Sequence, residues 1–344
     1  IHYYRNKLEF TFTDDRWLTK EEAATKVEID ERRALGYYVG GRYDKIIDVK
    51  HCHLQPDPSN DIRLAVREYA LENDLPFFNL RNKFGFLRSL IIRNNSEGEF
   101  LVILSVFENR ESDIFGLLDY LEEKFPQIKS LNYVINNKLN EIIADLPIIN
   151  YKGEPFLMMN LDHVKYKLGP KSFFQTNFHQ AEKLYRITKE YAGMQPDDVV
   201  YDLYTGVGSI ALYIADQCKQ VVGIELVEEA IVDAYENARL NGIENCSFFA
   251  GDMHKILRGD FIEQHGHPNV IITDPPRAGM HPKVVKKIVE VEPDRIVYVS
   301  CNPATQARDI SMMSEKYEVK RVQPVDMFPN TYHIENVTLL EKKT

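Results

Sequence analysis

The rhythm of hydrophobic and polar positions changes near residue 175. Before it, apolar or alternating runs such as LEFTFT, FGFLRSLIIRN, EFLVILSVF and LNYVIN are separated by turn residues. These runs predict strands. Apolar positions at helical spacing recur at about 61–73 and 111–125. The mixture predicts an antiparallel sheet with a few helices. From residue 178 the pattern becomes regular: helix HQAEKLYRITKEYA, strand VVYDLY, helix SIALYIADQ, strand QVVGIEL, helix EEAIVDAYENARLNG, strand CSFFAG, strand VIIT, a helix near 282–290 and strand RIVYVSC. Such alternation predicts a doubly wound parallel α/β sheet, which binds ligands at the carboxyl ends of its strands. YEVKRVQPVDMF and HIENVTLLE follow with no long helix between them, a terminal antiparallel pair. Two domains are expected, 1–175 of α+β type and 176–344 of Rossmann-like type.

Composition sets limits on this picture. The chain has 344 residues, enough for two globular domains, each with its own core. No apolar run reaches the roughly 18 residues of a membrane span, and the start, IHYYRNKLEF, lacks a signal-peptide pattern. A cytoplasmic chain is expected, with no membrane partner. Four scattered cysteines without a CxxC pair give neither a disulfide framework nor a complete zinc site, so reduced thiols are expected. The net charge of −10 argues mildly against a polyanionic partner. Distribution qualifies that: Arg5, Lys7, Arg81, Lys83, Arg88, Arg93, Lys165, Lys167 and Lys171 cluster in the first half, several beside Tyr or Phe. The cluster suits phosphate contacts with base stacking, and equally a solvated surface.

Candidate chemistry sits at predicted strand ends. In DLYTGVG (202–208), Gly206 and Gly208 lie between a strand and a helix, where a missing side chain lets backbone approach a ligand. Glu225 ends the next strand about 20 residues on, the spacing at which a carboxylate accepts from ribose hydroxyls. NAD or S-adenosylmethionine would fit. The loop lacks the third glycine of GxGxxG, and Asp252 in GDM is available near an adenine edge, which favours the second. A tight turn needing glycines is the plainer explanation. In DPPR (274–277), two prolines stiffen the loop after a strand, Asp274 can face cofactor or substrate, and Arg277 suits a phosphate, a pyrimidine carbonyl or a surface ion pair. Cys301 ends another strand just before Asn302 and Pro303 open a helix. A helix N-terminus favours thiolate, so Cys301 is the candidate nucleophile, whereas Cys218 and Cys246 read as core. Glu335, within the otherwise apolar TYHIENVTLL, is either an outward strand residue or a base aimed into a site.

FFQTN (173–177), DLYTGVG, DPPR, SCNP (300–303) and HIENV (333–337), in that order, together with the opening YRNKLEF, resemble the RNA 5-methyluridine methyltransferase family, specifically the bacterial 23S ribosomal RNA (uracil-C5) methyltransferases. The resemblance covers most of the chain. It implies a class I S-adenosylmethionine-dependent methyltransferase fold, methylation of uracil C5, and 23S ribosomal RNA as partner, with tRNA as the alternative. Cys301 then resembles the nucleophile and Glu335 the general base. Gln175, Tyr204, Gly206, Gly208, Ser209, Glu225, Asp252 and Asp274 resemble cofactor and site contacts. Phe173, Phe174 and Arg277 are expected to meet the flipped nucleotide.

The sequence also departs from that pattern. Ser209 stands where many members have Asn. Many relatives begin with a β-barrel RNA-binding domain and a cysteine-ligated iron–sulfur cluster, both of which would lie before Ile1; Cys52 in HCHLQP resembles the fourth ligand without its partners. A fragment lacking both is therefore expected, with a 4Fe-4S cluster belonging to the full-length protein only. A monomer is expected and no DNA partner. Three rival readings stay open: an amino-methyltransferase using DPPR as its loop, a noncatalytic RNA-binding assembly factor, and an NAD-dependent oxidoreductase.

Overall fold

A computed structural model describes residues 1–25 and 27–344. The chain divides into two compact units, one of His2–Leu157 with Gly169–Lys171, the other of Met158–Leu168 and Ser172–Thr344 with Ile1.

The first unit contains β1 (Lys7–Thr13), α1 (Lys20–Thr25), β2 (Ala34–Tyr38), β3 (Ile46–Asp48), α2 (Ser59–Glu72), β4 (Leu87–Asn94), β5 (Phe100–Val106), α3 (Glu111–Lys124), β6 (Ile128–Ile135) and β7 (Ile149–Gly153). Seven strands form one sheet in the order β3-β2-β1-β4-β5-β6-β7. The sheet is mixed rather than antiparallel as expected, because β5 and β6 run parallel. The cause is α3: a helix between two neighbouring strands returns the chain to the same end of the sheet. Its buried residues Ile114, Leu117, Leu118 and Leu121 form one apolar stripe, each worth about 1.5–3 kcal/mol when fully buried.

Every residue of β4 and β5 is buried, which removes two of the expected phosphate contacts. The Arg88 guanidinium donates to the carbonyls of Asn136, Lys138 and Asn140 at 2.8, 2.5 and 3.0 Å. It holds a loop together from inside. Arg93 is also interior, and burial pushes its pKa down to about 10. Cys52 is buried with its sulfur 3.5 Å from the Tyr37 hydroxyl. A four-iron cluster takes four cysteine ligands, and among the described residues no group of three or more His, Cys, Asp or Glu is arranged to hold a metal.

The second unit begins with the hairpin of β8 (Leu157–Leu161) and β9 (Val164–Leu168), followed by α4 (Phe178–Ala192), β10 (Val199–Leu203), α5 (Ser209–Ile214), β11 (Gln220–Glu225), α6 (Glu228–Leu240), β12 (Cys246–Ala250), α7 (Met253–Ile256), α8 (Gly259–His265), β13 (Val270–Thr273), α9 (Pro282–Val291), β14 (Arg295–Ser300), α10 (Pro303–Met313), β15 (Tyr317–Val325) and β16 (Glu335–Lys342). The hairpin lies before the boundary expected at 175, yet it belongs here. The Oδ1 atoms of Asn241, at the C-terminal cap of α6, and of Asn237 on α6 accept from the backbone N–H groups of Lys165 and Lys167 at 2.9 and 2.7 Å, and the Tyr166 hydroxyl donates to the Ser209 carbonyl at 2.8 Å. These bonds outweigh the composition of the hairpin, which reads like the strands before it.

The second sheet has the order β12-β11-β10-β13-β14-β16-β15. Its first five strands are parallel and β16 is antiparallel to both neighbours. This is the doubly wound sheet with a terminal antiparallel pair. The strand order reverses beside β10, which opens a crevice at the carboxyl ends of β10 and β13.

Candidate active site

The loop after β10 is bound to the end of β11. Tyr204 N–H donates to the Ile224 carbonyl at 2.9 Å, and Gly206 N–H donates to Glu225 Oε2 at 3.1 Å. Glu225 Oε1 also accepts from the N–H groups of Leu226 and Val227. A carboxylate offers about four acceptor positions, so capacity for a ligand hydroxyl remains. The turn is tight enough to place Tyr204, Gly206 and Gly208 at φ of 65°, 56° and 79°. For tyrosine that left-handed conformation is uncommon and costs of order 1–3 kcal/mol. A Cβ on Gly206 would meet nothing within 4 Å, whereas one on Gly208 would meet Phe248 and Ala234 at 3.2 and 3.3 Å. Gly206 therefore faces open space and Gly208 faces the core. Asp252, at the end of the next strand, caps α7 and pairs with His254 at 2.5 Å. Ser209 opens α5.

Cys301 and Glu335 flank the end of one strand pairing. In the antiparallel pairing of β14 with β16, Ser300 lies opposite Asn336. The pairing ends there; Cys301 follows it on one side and Glu335 precedes it on the other, and the charge of Glu335 reaches the Cys301 thiol. Glu335 is 3% exposed and its Oε2 is buried without a hydrogen-bond partner among the described residues. Burial, and then the charge of Asp274, push its pKa up to about 8. Asp274, after β13, is pushed up to about 7 by burial and then by Asp202, while Gln175 Nε2 donates to its Oδ2 at 3.5 Å.

The cysteine behaves differently from the expectation drawn from its helix. Its thiol is held above the ordinary value by burial first, then by Glu335 and Asp274, with Arg277 opposing. Asn302, not the thiol, caps α10: its Oδ1 accepts from Ala304 N–H at 3.2 Å. Burial, reinforced by two nearby carboxylates, outweighs the favourable helix end.

Comparison with known proteins decides what this arrangement belongs to. Residues 149–343 match the tRNA (uracil-5-)-methyltransferase family model. The chain is 53% identical over 342 residues to an uncharacterized RNA methyltransferase of Bacteroides thetaiotaomicron, covering 98% of this chain and 75% of that protein. One from Porphyromonas gingivalis is 50% identical over 352 residues, covering 99% and 75%. The chain belongs to the RNA (uracil-C5) methyltransferase family. Among solved structures, the tRNA (uracil-54, C5)-methyltransferase of Pyrococcus abyssi in complex with S-adenosyl-L-homocysteine is similar, with a TM-score of 0.78 and 28% identity over 99% of this chain and 76% of that one.

For a methyltransferase of this family, several further placements matter. Phe173 is 73% exposed, but Phe174 is buried with its ring 5.3 Å from Tyr166, so only the first can receive a base. Asn177 Nδ2 donates to the Met327 carbonyl at 3.0 Å, joining FFQTN to the segment before Glu335. Arg277 is exposed, and its carbonyl accepts from Asn302 Nδ2 and Thr305 Oγ1 at 3.1 and 3.3 Å.

Two residues were not singled out from sequence. Asp202 is 1% exposed and pushed up to about 7 by burial, with Oδ1 unpartnered among the described residues; Oδ2 accepts from Thr205 Oγ1 and Ala211 N–H at 2.6 and 3.2 Å. Its place as the first residue of DLYTGVG was the available signal. Asp309 on α10 accepts from Met280 N–H and the Tyr298 hydroxyl, both at 2.7 Å, and so fixes the loop that carries DPPR. A single acid on an amphipathic helix gives no signal for that role.

Proposed function

We propose that this methyltransferase transfers a methyl group to C5 of a specific uridine in 23S ribosomal RNA, with Cys301 as nucleophile and Glu335 as base. The observation that supports the chemistry is the end of the β14–β16 pairing, which Cys301 and Glu335 flank, with a Glu335 oxygen buried and unpartnered among the described residues and its charge acting on the thiol. Ionised Cys301 adds to C6 of the uracil, and the electron pair moves to give an enolate with C5 nucleophilic. Bound S-adenosylmethionine supplies the electrophilic methyl group that C5 takes. Ionised Glu335 then removes the C5 proton, the C6–sulfur bond breaks, and Cys301 leaves as thiolate.

The residues present fit the methyl donor. The free space over Gly206 admits a ligand, Glu225 retains acceptor capacity for a ribose hydroxyl, and the unpartnered carboxylate oxygens of Asp202 and Glu335 suit a cationic group. Tyr204, Ser209 and Asp252 would border it, with Gln175 and Asp274 between donor and base, while Gly208 shapes the turn from its core side. Phe173 and Arg277 would hold the extruded nucleotide, since chemistry on a base requires it to leave its stack.

The ribosomal target rests on the motif resemblance. A tRNA target is the second reading, favoured by the likeness to the Pyrococcus abyssi enzyme. Unmodified 23S ribosomal RNA and tRNA transcripts, incubated with methyl-labelled S-adenosylmethionine, separate the two. Label in 5-methyluridine of 23S RNA alone supports the proposal; label in tRNA alone transfers it to the second reading. Cys301→Ala is expected to abolish transfer, and Glu335→Gln to lower turnover by about 10²–10⁴-fold while a methylated protein–RNA adduct accumulates. Wild-type turnover in Cys301→Ala would reject the nucleophile.

A further inference from the structure

Tyr332 is 87% exposed, three residues before the buried Glu335. A large aromatic ring left this open does nothing for folding. Yet it is held in place: its ring lies 4.3 Å from that of His333, with an interplanar angle of 42°, and the Phe328 ring meets that of His333 edge-on at 6.4 Å. His333 Nδ1 accepts from Arg277 Nη2 at 3.3 Å; arginine can only donate, which fixes that nitrogen as the acceptor. The turn beneath is hydrogen-bonded. Thr331 Oγ1 donates to the Phe328 carbonyl at 2.7 Å and accepts from His333 N–H at 3.1 Å.

The other end of this row is fastened to the nucleophile's own helix. The Arg277 carbonyl accepts from Asn302 and Thr305, immediately after Cys301. Tyr332, His333 and Arg277 thus form a flat and cationic row whose guanidinium charge also acts on the Cys301 thiol. A flat ring beside a guanidinium suits a base stacked on its face and a phosphate next to it.

We propose that Tyr332, supported by His333 and Arg277, is a stacking platform for the unpaired nucleobase next to the target uridine. The inference rests on the uridine-C5 reading for the identity of the neighbouring nucleotide. Its occupant follows from continuity: a uridine between Cys301 and Glu335 brings its chain neighbour to the segment that leads into Glu335. Stacking is tolerant of base identity, so this contact adds affinity and orientation rather than sequence choice.

The test uses a short single-stranded RNA with 5-fluorouridine flanked by 2-aminopurine, whose fluorescence falls on stacking. Wild type is expected to bind and quench it. Tyr332→Ala is expected to raise Kd about tenfold and to lose the quench, with thermal midpoint and S-adenosylmethionine binding unchanged. Tyr332→Trp is expected to keep both within about twofold, because any flat ring serves. Wild-type Kd and quench in Tyr332→Ala would overturn the platform, as would an equal loss in Tyr332→Trp. The covalent adduct is read separately on a denaturing gel. A wild-type protein that binds and quenches but forms no adduct rejects the cysteine chemistry and leaves the platform standing.

Discussion

Glu335 opposes the ionisation of Cys301, and the charge of Asp274 raises both groups. Burial is the larger cause for each. Because the thiol is raised partly by Glu335, replacing that carboxylate with an uncharged amide should lower the cysteine pKa. Glu335→Gln is therefore expected to alkylate with iodoacetamide several-fold faster than wild type at pH 8.5–9, where the native carboxylate is ionised and repels the thiolate. Near pH 6 the carboxylate is protonated and the difference should vanish. Cys301→Ala supplies the background, since Cys52, Cys218 and Cys246 are buried. Mass spectrometry of the labelled peptide reads the rate, and equal rates at pH 9 would remove Glu335 from the thiol's surroundings. The sequence exposed both residues but not this coupling. A helix N-terminus is visible in SCNP, whereas two carboxylates contributed by other strands are brought there only by the sheet.

The turn between β10 and α5 separates a glycine facing open space from a packing one, a distinction two identical letters in DLYTGVG cannot make. Both have positive φ, so alanine costs about 1–2 kcal/mol at either from backbone alone. At Gly208 the added methyl would also press on Phe248 and Ala234. Gly208→Ala is expected to lower the thermal midpoint clearly more than Gly206→Ala. Gly206→Ala, whose methyl enters open space, is expected to weaken S-adenosylmethionine binding beyond its small effect on stability. Calorimetry on both variants checks the pair, and the reverse order would mean that the donor does not pass over Gly206. The regular βα alternation after residue 178 was legible because each element carries one clear period. In the first unit, α3 was legible but its consequence, a parallel β5–β6 pair, was not, since periodicity does not report strand direction. Likewise the hairpin of β8 and β9 was assigned to the wrong side of a boundary, because its attachment depends on Asn237 and Asn241 far along the chain.

At the scale of the molecule, charge is arranged against its apparent purpose. The chain carries a net −10, its substrate class is a polyanion, and its catalytic unit gathers Asp202, Asp274, Glu335 and Glu225 at one sheet end. A cluster of basic residues was the feature that suggested RNA in the sequence, yet Arg88 and Arg93 from that cluster are interior. The family was legible from ordered motifs rather than from electrostatics. The acidic interior makes sense once the ligand's charge is considered: the methyl donor carries a positive sulfonium, and the product formed from it is a neutral thioether. Three of these groups titrate near neutrality, Asp202 and Asp274 at about 7 and Glu335 at about 8. Below pH 6 they are mostly protonated and cannot distinguish the two ligands by charge. As pH rises through 7 to 8 they ionise, and attraction for the cation grows while the neutral product gains nothing. The ratio of S-adenosylmethionine to S-adenosylhomocysteine affinity is thus expected to increase roughly tenfold between pH 6 and 9, the size of effect a neighbouring charge has on a titrating group. The shared amino-acid and adenosine parts cancel in that ratio. Titration calorimetry at pH 7 in buffers of different ionisation enthalpy should also show protons released on binding the donor, and fewer on binding the product. A ratio flat with pH would mean that the carboxylates are neutralised from within the protein, and that discrimination between donor and product rests on the shape of the methyl site.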